Sequence, residues 1–226
     1  MRFDGIRALL FDLDGTLVDS VPDLAAAVDA MLADVGRPPA GEARVREWVG
    51  NGSQRLVKRA LVGQMHGEPA PELFERAMPR FIAHYDARLA DRSALYDGVR
   101  DGLHRLKGAG YKLGIVTNKP ARFIEPLLAA LGVREDFAVL VGGDTLAEKK
   151  PHPAPLLHAA ELLGEGPATT LMVGDSRNDV EAARRAQMAV VCVPYGYNHG
   201  EDIRLAAPDA VVEDLRELAR LLLASE

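Results

Sequence analysis

A chain of 226 residues, 48% hydrophobic and 27% charged, has room for one domain with a large insertion or for two small domains. Its formal net charge of −6 argues against non-specific nucleic-acid binding, so an anionic substrate would need a local cation or a metal. The single cysteine, Cys192, lies in an apolar run as a small buried hydrophobe. It cannot form an intrachain disulfide, and no run approaches membrane-spanning length.

These features, with an N-terminal stretch that lacks a long apolar segment, point to a soluble cytoplasmic protein with no membrane partner. The six histidines lack metal-ligand spacing, which argues against zinc.

The first element is an apolar run at 6–11, read as a buried strand over 8–11, and it ends in Asp12-Leu13-Asp14-Gly15-Thr16. The stretch 19–95 then carries helical patterns and no strand. Asp19 and Ser20 are candidate caps and Pro22 suits a first turn. Leu24, Val28, Met31, Leu32 and Val35 follow at helical spacing up to Gly36. After a loop at 37–41, helices are expected at 42–49, 53–65 and 72–87, the last kinked or divided at Pro79.

Beyond residue 95, apolar runs at 112–117, 137–141, 170–173, 189–193 and 210–212 read as further buried strands. Helical patterns follow at Pro120 to Gly132 and at 154–163, 177–187 and 215–223. This alternation implies an α/β, Rossmann-like open parallel sheet. The sheet core is expected from 1–18 and 96–226, with an inserted helical cap domain over 19–95.

Two carboxylates two residues apart at the end of a buried strand are costly unless something compensates them. In an open α/β sheet, ligands gather at the carboxyl ends of strands. Four such places carry suitable residues: Asp12 and Asp14; Thr117-Asn118-Lys119; Lys150-Pro151-His152-Pro153; and Gly174-Asp175-Ser176-Arg177-Asn178-Asp179. Taken singly, each reads as an ordinary turn, cap or solvated loop. Together they suit a metal and a phosphate, and oxygen ligands favour Mg2+. With Asp12, Asp14, Asp175 and Asp179 ionised, Lys150 and a divalent ion leave one negative charge; protonating Asp14 removes it.

This set resembles the haloacid dehalogenase superfamily of phosphohydrolases across essentially the whole chain. The resemblance implies that Asp12 is the nucleophile and that Asp14 is the acid and then the base. It further implies that Thr117 and Asn118 hold phosphate oxygens and that Lys150 offsets charge on Asp12 and the transferring group. Asp12, Asp175 and the backbone carbonyl of Asp14 would bind magnesium, with Asp179 behind them. An aspartate at position 14 argues for a phosphatase or phosphomutase, and the helical insert looks like the family's mobile cap.

Within the insert, Trp48-Val49-Gly50-Asn51-Gly52 and the segment after it, with the motifs around Thr117 and Lys150, look like the bacterial phosphoglycolate phosphatase group. Asn51 and Gly52 are then candidate substrate-binding residues on a cap loop, against the plainer reading of a tight turn. Arg55, Lys58 and Arg59 offer charges for a substrate carboxylate but read first as a solvated helix face, and Arg177 as a helix-surface residue rather than a ligand.

The expected activity is magnesium-dependent hydrolysis of 2-phosphoglycolate through an aspartyl phosphate. The alternatives are a phosphatase for another small ester, such as N-acetylmuramic acid 6-phosphate, a sugar phosphomutase, or a silent phosphate-binding module. The partner is a small phosphorylated metabolite, and the chain is expected as a monomer or homodimer.

Overall fold

The structure, a computed structural model, describes residues 3–224. Residues 1–2 and 225–226, which fall in the expected core ranges, lie outside the described residues. Six parallel strands form one sheet: β1 (Ala8–Phe11), β4 (Lys112–Val116), β5 (Val139–Val141), β6 (Thr170–Gly174), β7 (Ala189–Cys192) and β8 (Ala210–Val211). Their order is β5-β4-β1-β6-β7-β8. β1 pairs with β4 (Leu9 opposite Leu113) and with β6 (Leu9 opposite Leu171). It is therefore the strand from which the chain builds outward in both directions. Such a switch point opens a crevice at the strand's carboxyl end, and Asp12 stands there.

The strands are apolar on both faces, which is why they read as nearly unbroken hydrophobic runs. Successive side chains alternate between two cores. Leu9, Phe11, Ile115 and Val173 face α5 (Val99–Gly108), α6 (Ile124–Ala130) and α9 (Leu215–Leu223). Ala8, Leu10, Met172 and Val190 face α7 (Ala154–Leu162) and α8 (Arg177–Arg185). Burying a leucine or phenylalanine in either layer contributes about 1.5–3 kcal/mol relative to leaving it exposed.

Helix α5 has no counterpart in the sequence-based expectations, because two glycines and a row of charges dilute its pattern. Its apolar positions, Val99, Leu103 and Leu106, still share one buried stripe. Gly102 lets that stripe approach α9: a methyl at this position would come within 2.5 Å of Leu215.

The stretch 19–95 forms a separate layer of α1 (Val21–Asp34), α2 (Glu42–Trp48), α3 (Ser53–Val62) and α4 (Pro71–Asp86). Val28, Met31, Trp48, Val57, Phe81 and others close its own apolar core, which Phe123 and Tyr197 also join. Pro79 does not divide α4, which is continuous. Pro79 is exposed, so the carbonyl left without its helical N–H can turn to water.

The stretch is not free of strand: β2 (Val18–Asp19) and β3 (Ala94–Leu95) pair antiparallel in a two-residue ribbon, separate from the main sheet. Asp23, buried near the start of α1, fastens the exit. Its carboxylate accepts from Arg92 N, Ser93 N (2.7 Å) and Ser93 Oγ (2.6 Å).

Candidate active site

Strand ends bring the candidate residues together. Asp12 follows β1, Thr117 and Asn118 follow β4, Lys150 precedes α7, and Asp175 follows β6. The Asp12 carboxylate accepts from Leu13 N at 2.8 Å and pairs with Lys150 Nζ at 3.0 Å, both contacts falling on Oδ1. Lys150 also pairs with Asp179 Oδ1 at 2.6 Å. The other oxygen of Asp179 accepts from Ser176 N at 3.0 Å and Ser176 Oγ at 2.7 Å, capping the first turn of α8. Asp175 accepts from Thr16 Oγ1 and from Tyr197 N, each at 2.6 Å.

Asp12, Asp175 and Asp179 can each offer an oxygen, and these lie within 4.8 Å of one another. Burial pushes the Asp12 carboxyl up to about 6, with Lys150 pulling it down and Asp179 pushing it up. Burial, and then the charges of Asp12 and Asp179, carry Asp175 well above the ordinary carboxylate range. Desolvated carboxylates that repel each other, with one lysine among them, are a donor set that suits a hard divalent cation. The magnesium expected from sequence fits these residues, with Asp179 already engaged by Lys150 and the helix cap.

Asp14 does not bring its carboxylate to that cluster. It accepts from Ser20 Oγ at 2.6 Å and from Lys119 Nζ at 3.0 and 3.2 Å. Ser20 therefore spends its hydroxyl on Asp14, and α1 has no side-chain cap. Lys119 corrects the charge count: with this second buried ammonium, all four aspartates can be ionised around one divalent ion and the sum is zero. Burial works against the charge on Lys119, but Asp14 and Tyr85 raise its pKa above the ordinary lysine value. Tyr85, from α4, accepts from Lys119 at 2.6 Å. Sequence reading placed Lys119 in the Thr117-Asn118-Lys119 group without a role of its own and gave Tyr85 none, because folding alone joins them to Asp14.

A cavity of about 40 Å³, measured for water centres, opens between the sheet and the helical layer. Asp12, Asp14, Thr117 and Asn118 line it from below, and Gly50, Gly52 and Tyr85 from above. Lys150 and Asp175 stand behind Asp12, and Asn51 does not reach the lining.

Core side chains hold the 48–52 loop by its carbonyls. Asn118 Nδ2 and Asn178 Nδ2 donate to Gly50 O at 3.1 and 3.2 Å, and Lys149 Nζ donates to Asn51 O at 3.0 Å. Asn118 Nδ2 also donates to Lys150 O, which leaves Asn118 Oδ1 buried without a partner among the described residues. Arg55 and Lys58 pair with Glu68 on the surface of the layer, and Arg177 with Glu201. Arg59 departs from the expected solvated face: it is buried, donating to Trp48 O and Met65 O.

Comparison with known proteins agrees with this arrangement. The chain is 54% identical over 214 residues to a phosphoglycolate phosphatase from Nitrosococcus oceani, covering 95% of each chain. It superposes with a TM-score of 0.90, at 39% identity and over 98% and 99% of the two chains, on a crystal structure described as a predicted phosphoglycolate phosphatase from Haemophilus somnus. It also matches the structure of CbbY from Rhodobacter sphaeroides in complex with phosphate, with a TM-score of 0.78 and 30% identity over 94% and 96% of the chains. Residues 6–187 match the haloacid dehalogenase-like hydrolases, and the chain belongs to that family.

Proposed function

We propose that the protein is a magnesium-dependent phosphomonoesterase that hydrolyses 2-phosphoglycolate to glycolate and phosphate. The observation that carries this reading is the cavity between Asp12 and the 48–52 loop, lined by Asp12, Asp14 and the phosphate-binding candidates Thr117 and Asn118. The relatives named phosphoglycolate phosphatase support it. The helical layer 19–95 then acts as a cap over a core made of 1–18 and 96–226.

In the first step the Asp12 oxygen not committed to Leu13 and Lys150 attacks phosphorus. An acyl-phosphate bond forms and the ester P–O bond breaks. Asp14, in its acid form, gives its proton to the departing glycolate oxygen. In the second step Asp14, as the carboxylate paired with Lys119, takes a proton from water, whose oxygen attacks the phosphoryl group and releases Asp12. Thr117 and Asn118 orient the phosphate, and Lys150 offsets charge on Asp12 and the transferring oxygens. Magnesium, held by Asp12, Asp175 and the backbone carbonyl of Asp14, would supply positive charge at the phosphate when bound. We place this chemistry in the cytoplasm, where a single buried thiol and small charged metabolites are at home.

Phosphate release from a panel of small esters with Mg2+, compared by kcat/KM, tests the reading. Preference for 2-phosphoglycolate is expected. Preference for N-acetylmuramic acid 6-phosphate, or interconversion of sugar phosphates, would replace it with one of the alternatives, and no turnover of any ester would leave a binding module.

A further inference from the structure

Among the described residues lining the cavity, Lys119 carries the one cationic side chain. Lys150 lies behind Asp12, its nitrogen taken by Asp12 and Asp179. Much of the remaining wall is apolar, including Leu24, Val49, Leu56, Phe81 and Phe123. A group that enters beside the phosphate therefore meets hydrocarbon except at Lys119, Tyr85, Ser53, the Gly50 and Gly52 backbone and the polar floor, and of these only Lys119 brings a positive charge.

The ammonium has three N–H groups. One goes to Tyr85 Oη at 2.6 Å, and the rest face Asp14 at 3.0 and 3.2 Å. Tyr85 accepts that bond, and no acceptor for its own O–H is found among the described residues. The hydroxyl is rigidly aimed: Tyr85 is 1% exposed, stacks on Phe81 at 5.8 Å and meets the edge of Phe123 at 4.9 Å. An ammonium and a free hydroxyl proton, side by side on a dry wall, form a two-point receptor for a small anion.

We propose that Lys119, with the Tyr85 hydroxyl beside it, binds a carboxylate that the substrate carries next to its phosphate, and so determines specificity. The carboxylate accepts from Tyr85 Oη and shares the ammonium with Asp14. Tyr85 belongs to α4 and Lys119 follows β4, so the receptor is complete only while the helical layer rests on the sheet. This rests on the phosphomonoesterase reading and adds to it the group that the enzyme recognises.

The test compares 2-phosphoglycolate with ethyl phosphate, which replaces the carboxylate by a methyl group. Both are assayed with Mg2+ on wild type, Lys119→Met and Tyr85→Phe, with thermal melts to establish folding. Wild type is expected to favour 2-phosphoglycolate. The ratio of kcat/KM values should fall on the order of 10- to 100-fold in Lys119→Met and about tenfold in Tyr85→Phe, which keeps the ring packing. Ethyl phosphate should also slow in Lys119→Met, because Asp14 loses its partner, but by less than 2-phosphoglycolate. Should Lys119→Met fail to fold, Tyr85→Phe decides. A wild type that treats the two esters alike, or ratios unchanged in the folded variants, would overturn this proposal and leave the phosphatase standing. A wild type that hydrolyses no phosphate ester would remove the phosphatase reading and the proposal together.

Discussion

If the helical layer closes over the core as proposed, Gly52 joins backbone geometry to that closure, and replacing it tests both. Its φ of 85° and ψ of 165° fall in a region that essentially only glycine occupies. A side chain there costs about 1–3 kcal/mol whether or not the loop touches the core. In a chain of this size that lowers Tm by roughly 2–12 °C. The second cost arises only on contact: a Cβ would lie 3.0 Å from Asn118 O and 3.3 Å from Lys149 Nζ. Gly52→Ala crowds both atoms, and Gly52→Val drives a methyl toward the carbonyl beside the phosphate-binding candidates. The variants should therefore melt earlier and also close poorly. The assay is kcat/KM for 2-phosphoglycolate against p-nitrophenyl phosphate, which carries no carboxylate. A carboxylate deprived of its partners loses about 1–3 kcal/mol, so the ratio should drop roughly tenfold. Gly52→Val that melts like wild type and keeps the wild-type ratio would refute both the strained backbone and the closing loop.

Asp12→Asn should fold normally and lose phosphoryl transfer to the enzyme; near wild-type turnover, with deamidation excluded by mass spectrometry, would remove Asp12 as nucleophile. Chelation should abolish activity and magnesium restore it, while calcium, with longer and looser oxygen coordination, should inhibit; full activity after exhaustive chelation would sink the metal assignment. Divalent-ion affinity should rise with pH through about 6, because Asp12, raised to about 6 by burial, must give up its proton to bind. Without metal the same shift has the opposite consequence for stability. Between the unfolded value near 3.8 and about 6 the folded state holds the extra proton, so this group's contribution to stability is lost as pH rises through that window. Denaturant titrations with and without Mg2+ at pH 4.5 and 7 would show both slopes.

The central strands were legible because both faces are buried: the run around Leu9, Leu10 and Phe11 has no polar interruption until Asp12. The strand ends could then be placed in one crevice by topology alone. The helices of the insert showed by periodicity, but α5 did not, since Gly102 looks like a breaker until α9 is seen packed against it. Lys119 was noted at its strand end with Thr117 and Asn118, but its pairing was hidden. Its partners Asp14 and Tyr85 stand 105 and 34 residues away in sequence, so no local pattern joins them. Arg59 was misplaced for a related reason: a basic residue on a short helix is usually solvated, and only the backbone carbonyls of Trp48 and Met65 explain why this one is buried.

The ribbon of Val18–Asp19 and Ala94–Leu95 places the entrance and exit of the insert side by side. To the sheet, everything between is a single loop, and doubling a loop's length adds only about 0.6 kcal/mol of closure cost. The helices above can therefore lengthen, shrink or be exchanged for others without disturbing the register of β1 with β4 and β6. Asp12, Lys150 and Asp175 all lie outside that interval, whereas Gly52 and Tyr85 lie within it. A chain built this way can inherit its sheet and its helical layer from different ancestors, and a graft at these two neighbouring strands is the place to recombine them.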